Sequence, residues 1–214
     1  NNVLVRKLVG IETSGSLNIL FTDKTGTLTK GKLEVIRFML GNLNEYSGIS
    51  EVSSKYQNTF INSLIYNNES SYDKELNKII GGNITDKAIM EYIKINKNPN
   101  IKIIDRTYFN SKNKYSLVIT EENHKHFKYI KGAPEIILDK CTKYLNEEGF
   151  KQLILDKEKI KNKLKTITKK GIRVICVAYN EENNKTINNL ILVGFLFIKD
   201  EIRKESINTV NSIN

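Results

Sequence analysis

The string Asp23-Lys24-Thr25-Gly26-Thr27-Leu28-Thr29 places a carboxylate, a cation, hydroxyls and a glycine directly after the apolar segment Leu17-Asn18-Ile19-Leu20-Phe21. A carboxylate held at the tip of a strand can attack phosphorus and form an acyl phosphate. Gly26 permits a tight turn that brings backbone N–H groups close to phosphate oxygens. Thr25 and Thr27 add hydroxyl donors, and Lys24 adds positive charge. Phosphoryl transfer asks little of a protein beyond in-line positioning and charge neutralisation, much of which Mg2+ supplies. An ordinary Asp-initiated turn with glycine at its bend accounts for an isolated Asp-x-x-Gly. Here every position of the string has a chemical use, which favours the phosphoryl chemistry.

Further along, Phe109 ends an extended segment and offers a flat face to a purine, where stacking is worth about 1–3 kcal/mol; packing in a core is its competing role. Lys114 and Lys131, on neighbouring strands, can face one anion, or else line a solvated sheet edge. Gly132 removes a side chain that would keep a ligand from the backbone, and Pro134 starts a helix whose N-terminus favours negative charge. Arg173 stands in an apolar strand and, if buried, must find a partner, either a phosphate or a structural carboxylate. His124 and His126 read as a polar hairpin connection, and the lysine-rich stretch 157–170 as the exposed face of a helix.

Several elements must position these groups. Leu17–Phe21 and Leu190–Ile198 are near-continuous apolar runs, each followed by a carboxylate (Asp23, Asp200), as expected of strands buried on both faces of a parallel sheet. Between them the pattern predicts a strand over 33–40 and a helix carrying Tyr56, Phe60, Ile61, Leu64 and Ile65. Thr85 is the expected cap of a helix bearing Ala88, Ile89, Tyr92 and Ile93. Extended segments at 101–109, 115–120 and 127–131 favour antiparallel hairpins. A helix from Pro134 through Ile136, Ile137, Leu138 and Cys141 follows, then a charged helix near 153–170 closed by Gly171, and a strand over 172–179. After the last apolar run, Ile202, Ile207, Val210 and Ile213 mark a helical stripe. The plan is an α+β domain inserted between two pieces of a parallel α/β domain.

Composition agrees with a folded chain. Its 214 residues are 39% hydrophobic and 27% charged, with only 2 Pro and 12 Gly, which excludes collagen-like and low-complexity classes. The apolar run at 190–198 falls well short of the roughly 20 residues that cross a bilayer as a helix, and a soluble polypeptide is expected. Cys141 and Cys176 are too few for a disulfide framework and are expected to be free thiols. A net charge of +10 favours a polyanionic partner.

Asp23–Thr29 resembles the phosphorylation signature of P-type ATPases, ion pumps with a haloacid-dehalogenase-like catalytic domain. Val5-Arg6-Lys7-Leu8 with Glu12-Thr13 is similar to the segment leading from the membrane to that signature. Lys131-Gly132-Ala133-Pro134-Glu135 resembles the KGAP motif of the family's nucleotide-binding domain, and Phe109–Lys114 the strand and turn whose ring stacks on adenine. Gly171-Ile172-Arg173-Val174 resembles the strand with a nucleotide-contacting arginine. Gly82-Asn83-Ile84-Thr85-Asp86 resembles the stretch that puts an acidic residue, here Asp86, near the adenine.

The resemblance implies that ATP and Mg2+ are cofactors and that Asp23 is the phosphorylated nucleophile, with Lys24 and Thr25 beside it. Nucleotide contacts would come from Asp86, Phe109, Lys114, Lys131, Gly132 and Arg173. It implies a nucleotide-binding domain at 31–189 inserted between parts of the phosphorylation domain at 1–30 and 190–214. The remaining phosphorylation, actuator and transmembrane domains would be partners in one polypeptide on the cytoplasmic side of a membrane, with calcium the favoured ion and no nucleic acid involved. Ile84 stands where the family usually has Pro, and Asp200-Glu201 where it has Asp-Pro. The Thr-Gly-Asp and Gly-Asp-Gly-x-Asn-Asp segments are missing before Asn214, so Asp23 and the Thr25 carbonyl alone would hold Mg2+ poorly. The expectation is a piece that binds ATP without phosphorylating itself efficiently. Two rivals remain at this stage. A soluble haloacid-dehalogenase-like phosphatase would want a second Asp where Thr25 stands, and a nucleic-acid-binding module would concentrate its basic residues.

Overall fold

The computed structural model describes residues 9, 15, 16, 18, 19 and 21–213, without the side chains of Lys24, Thr25, Lys204 and Ile213. The chain divides into two units, one of residues 1–31 with 202–214 and one of residues 32–201. Among the described residues eleven strands run in chain order: β1 Thr29–Met39, β2 Glu45–Tyr46, β3 Ser70–Asp73, β4 Lys78–Gly81, β5 Lys102–Thr107, β6 Tyr115–Glu122, β7 Lys125–Gly132, β8 Cys141–Leu145, β9 Lys151–Leu153, β10 Arg173–Asn180 and β11 Leu190–Ile202. The α-helices are α1 Ser54–Ile65, α2 Ile84–Ile93, α3 Pro134–Ile137, α4 Lys157–Thr168 and α5 Lys204–Ile213.

Nine strands form one sheet in the order β2-β1-β11-β10-β7-β6-β5, with β8 pairing β11 and β9 off this path, while β3 and β4 form a separate hairpin. All its registered pairs are antiparallel except β8 with β11. The α+β character expected of the middle of the chain is observed. Residues 190–198 differ from expectation: they are buried on both faces, but in antiparallel pairing with β10, and residues 190–201 lie in the larger unit. Continuous hydrophobicity reports helices on both faces of a strand and says nothing about its direction. Ile191, Val193, Leu196 and Ile198 enter one cluster with Phe38, Tyr56, Phe60 and Leu64. Leu190, Leu192, Phe195 and Phe197 enter another with Ile137, Ile160, Leu164 and Ile167. Each face of β11 is thus a core.

The expected strand at 17–21 is corrected as far as it is described. Leu17 and Leu20 lie outside the described residues, as do the segment 1–8 and residues 12 and 13. Asn18, Ile19 and Phe21 are not in a strand, and Ile19 and Phe21 are exposed at 69% and 92%. A strand buried on both faces needs a packed layer over each face, which side chains this exposed do not have.

Local chemistry explains most of the remaining elements. In α1, Tyr56, Phe60, Leu64 and Ile65 are buried, and the Tyr56 hydroxyl donates to the Val193 carbonyl at 2.8 Å, tying helix to sheet. The cap of α2 is Asn83, not Thr85: its Oδ1 accepts from the backbone N–H groups of Thr85 and Asp86 at 2.9 and 3.0 Å. The helix after Pro134 is a single turn, and Cys141 begins β8. Asn123 and His124 turn the β6–β7 hairpin with φ of 49° and 60°, so His124 occupies a turn. In α4, Ile160, Leu164 and Ile167 are buried and the lysines fan outward. Cys141 and Cys176 are free and buried, and burial pushes the Cys141 thiol up to about 12.

Gly132 pairs with Tyr115 on one side and Cys176 on the other. A Cβ there would sit 2.6 Å from the Tyr115 Cα, against backbone that cannot yield. The strand crossing therefore requires glycine whether or not a ligand does. Gly132→Ala is expected to lower the unfolding free energy by about 1–3 kcal/mol, measured by denaturant titration; an unchanged midpoint would refute this account.

Candidate nucleotide site

One face of the sheet carries Arg106 on β5, Ser116 on β6, Lys131 on β7, and Arg173 and Ile175 on β10, all lining a cleft of about 1140 Å³. The start of α2 contributes Asn83, Ile84, Thr85 and Asp86 to the same cleft.

Lys131 and Asp86 form an ion pair at its floor, their side chains 11% and 5% exposed. The Asp86 carboxylate also accepts from Asn83 Nδ2 and the Glu69 backbone N–H, each at 3.3 Å. Burial holds the Lys131 pKa below the usual ammonium range, with Asp86 opposing that shift. Lys97 is likewise lowered, first by burial and then by the neighbouring Arg106 and Lys131 charges. The inner end of the cleft is thus a place where positive charge is crowded.

Phe109 follows β5 and remains 56% exposed, so its ring face is open to a ligand and not packed into a core. Lys114 sits at φ 58°, its N–H donating to Asn110 and its carbonyl accepting from Ala133, which fixes the turn between Phe109 and β6. Its Nζ lies 3.3 Å from Glu135. Arg173 is exposed and donates to the Thr85 hydroxyl at 3.0 Å, a side-chain partner that neither expectation named. The Oγ of Ser116, in a residue only 7% exposed, has no hydrogen-bond partner among the described residues.

The structure therefore gathers Asp86, Phe109, Lys114, Lys131, Gly132 and Arg173 along one cleft. Asp23 is exposed in the smaller unit, and the backbone of Lys24–Leu28 makes one turn of π-helix. The side chains of Lys24 and Thr25 lie outside the described residues. Thr85, expected only as a helix cap, also lines the cleft, as do Arg106, Ser116, Lys161 and Lys165, for which the sequence suggests no site role. Alternation offered a signal for two of them, since Arg106 and Ser116 fall on the inward phase of their strands; nothing local marked the lysines of α4. Among the described residues no group of three or more His, Cys, Asp and Glu could hold a metal ion. One carboxylate does not make an octahedral Mg2+ shell, so the residues described do not fit that ion.

A family model described as P-type ATPase, cytoplasmic domain N, matches residues 56–205. This chain belongs to the P-type ATPase family. Membership implies use of ATP and Mg2+ by the family generally, and it removes the soluble phosphatase from the rival readings. Among similar P-type ATPases, a probable cation-transporting P-type ATPase of Mycoplasma genitalium is 30% identical over 216 residues, covering 95% of this chain and 22% of the relative. Calcium-transporting ATPase 1 of Bacillus cereus is 27% identical over 217 residues, covering 95% and 24%. Putative calcium-transporting ATPase 13, plasma membrane-type, of Arabidopsis thaliana is 32% identical over 226 residues, covering 95% and 22%. The chain thus spans less than a quarter of the length of these P-type ATPases. Among the described residues no helix is long and apolar enough to cross a membrane.

Proposed function

We propose that the cleft binds the nucleotide of a cation-transporting P-type ATPase and that Asp23 receives its terminal phosphoryl group. The observation carrying this reading is the convergence of Asp86, Phe109, Lys114, Lys131, Gly132 and Arg173 on one cleft. Phe109 stacks on the adenine with its exposed face. The orphan Ser116 hydroxyl gains a polar partner from the ligand, which repays the cost of its burial. Lys114 and Arg173, both carrying solvent-exposed cationic ends, face the phosphates.

In the transfer, an Asp23 carboxylate oxygen bonds to the γ-phosphorus while the bond from that phosphorus to the β,γ-bridging oxygen breaks, its electron pair leaving with ADP. Water later hydrolyses the acyl phosphate. Residues 1–31 and 202–214 belong on this account to a haloacid-dehalogenase-like phosphorylation domain. Its remaining parts, with the actuator and transmembrane domains, lie in the same polypeptide at the cytoplasmic side of a membrane. Calcium is the favoured cargo because relatives named as calcium-transporting align with nearly the whole chain. No step is routed through Mg2+, since the described donors do not build its shell.

Titration of the chain with ATP tests the binding half. The expected dissociation constant lies between roughly 10 μM and 1 mM, because one stacked ring and a few exposed cations offset association costs only partly. Phe109→Ala should weaken it by about 5- to 100-fold, the loss of one stacked base, with the thermal midpoint unchanged because the ring is not part of a core. Equal titrations for the two proteins would refute the role given to Phe109.

A further inference from the structure

We propose that Arg203 is a positioning residue that clamps the loop carrying Asp23, a role that rests on Asp23 being the phosphoryl acceptor. The loop is an uncommon piece of backbone. Lys24–Leu28 forms a single π-turn, and Gly26 within it has φ 84°. Such turns are rare and are frequently found at functional sites. Beside the turn's own backbone pairing, the Gly26 N–H donates to the Thr29 hydroxyl at 3.2 Å.

Arg203 ties this loop to the start of α5. Its Nε donates to the Thr29 carbonyl at 3.0 Å, its Nη2 to the Gly26 carbonyl at 3.2 Å, and its backbone N–H to the Leu28 carbonyl at 3.0 Å. The side-chain contacts join positions 174 and 177 residues apart in sequence, both within the smaller unit. Its own carbonyl accepts from the Ser206 N–H at 3.1 Å, so the guanidinium is anchored at the start of α5. A guanidinium is planar and presents its donors in a fixed fork, so it can hold two carbonyls at a set spacing; an ammonium, a single point charge, cannot. Arg203 is itself exposed and makes these contacts through backbone carbonyls alone. Its removal therefore leaves no cavity, and the effect is confined to the loop. Asp23 lies immediately before the clamped turn, and a misplacement of about 1 Å can cost a reacting group about 100-fold in rate.

The test uses the full-length pump and this chain together. In the pump, Arg203→Met is expected to slow phosphoenzyme formation from labelled ATP by about 10- to 100-fold, with the ATP dissociation constant unchanged. Arg203→Lys should fall between, and added guanidinium ion should recover part of the Arg203→Met rate. In the 214-residue chain, Arg203→Met should speed hydrogen exchange at amides 26–31 while the amides of β6, β7 and β10 stay as protected as before. Wild-type phosphorylation kinetics in Arg203→Met, or unaltered exchange at 26–31, overturns the proposal alone. Absence of phosphate on Asp23 in the wild-type pump overturns both this role and the acceptor assignment. Should Arg203→Met lose ATP binding through misfolding, Arg203→Lys decides: a wild-type rate there rejects the two-carbonyl clamp, and a reduced rate with intact ATP binding supports it.

Discussion

Asp23→Asn is expected to reduce acid-stable phosphoenzyme in the full-length pump by about 10⁴-fold or more, the scale on which removing a nucleophile acts, and to leave ATP affinity unchanged. An amide has the shape of the carboxylate but is neutral, and its oxygen is a far weaker nucleophile toward phosphorus. The two effects separate because Asp23 belongs to the unit of residues 1–31 and 202–214, whereas the residues lining the cleft belong to residues 32–201. Asp23 is also exposed, so the substitution disturbs no packed core. Acid quenching after a brief exposure to γ-labelled ATP reads the first effect, and a nucleotide titration reads the second. Label retained by the Asp23→Asn protein would remove Asp23 from the chemistry.

Lys131→Met is expected to cost about 3–5 kcal/mol of stability, because it leaves the Asp86 carboxylate buried and uncompensated. That side chain is 5% exposed, and its other contacts, from Asn83 and the Glu69 N–H at 3.3 Å, are too long to replace an ammonium. Truncating Lys131 is therefore expected to weaken the fold as well as nucleotide binding. The pair makes a double-mutant cycle informative. Asp86→Asn with Lys131→Met should be more stable than Lys131→Met alone, since the orphaned charge is gone. Denaturant unfolding of the four proteins measures the coupling; additive losses would mean that the ion pair contributes nothing.

The candidate site was legible where chemistry depends on a short string. Phe109 with Lys114, Lys131-Gly132 and Arg173 each stood out through residue types with few bland uses at that spacing, and all four segments line the cleft. What the string could not carry was the partner of each side chain. Arg173 turns to the Thr85 hydroxyl and Lys131 to Asp86, contacts across 88 and 45 residues that only the assembled sheet creates. Gly132 was assigned to ligand access, yet the approach of Tyr115 demands it first. The pairing of β11 is legible only in part: burial on both faces is written into Leu190–Ile198, which pairs in parallel with β8, but its antiparallel pairing with β10 lies beyond any local window. The hairpin β3–β4 and the short strands β8 and β9 were missed because their sequences lack a clear apolar alternation.

The placement of β11 has a consequence for how the protein is made. It is the last strand in sequence and lies between β1 and β10 in the sheet. Until residue 198 has left the ribosome, the strands synthesised earlier stand as two partial sheets with raw edges, and both cores lack the side chains that join them. Open strand edges template wrong pairings, and non-local strand pairing is slow even in a free chain. The central pairing of this sheet is therefore open to wrong partners until β11 is in place.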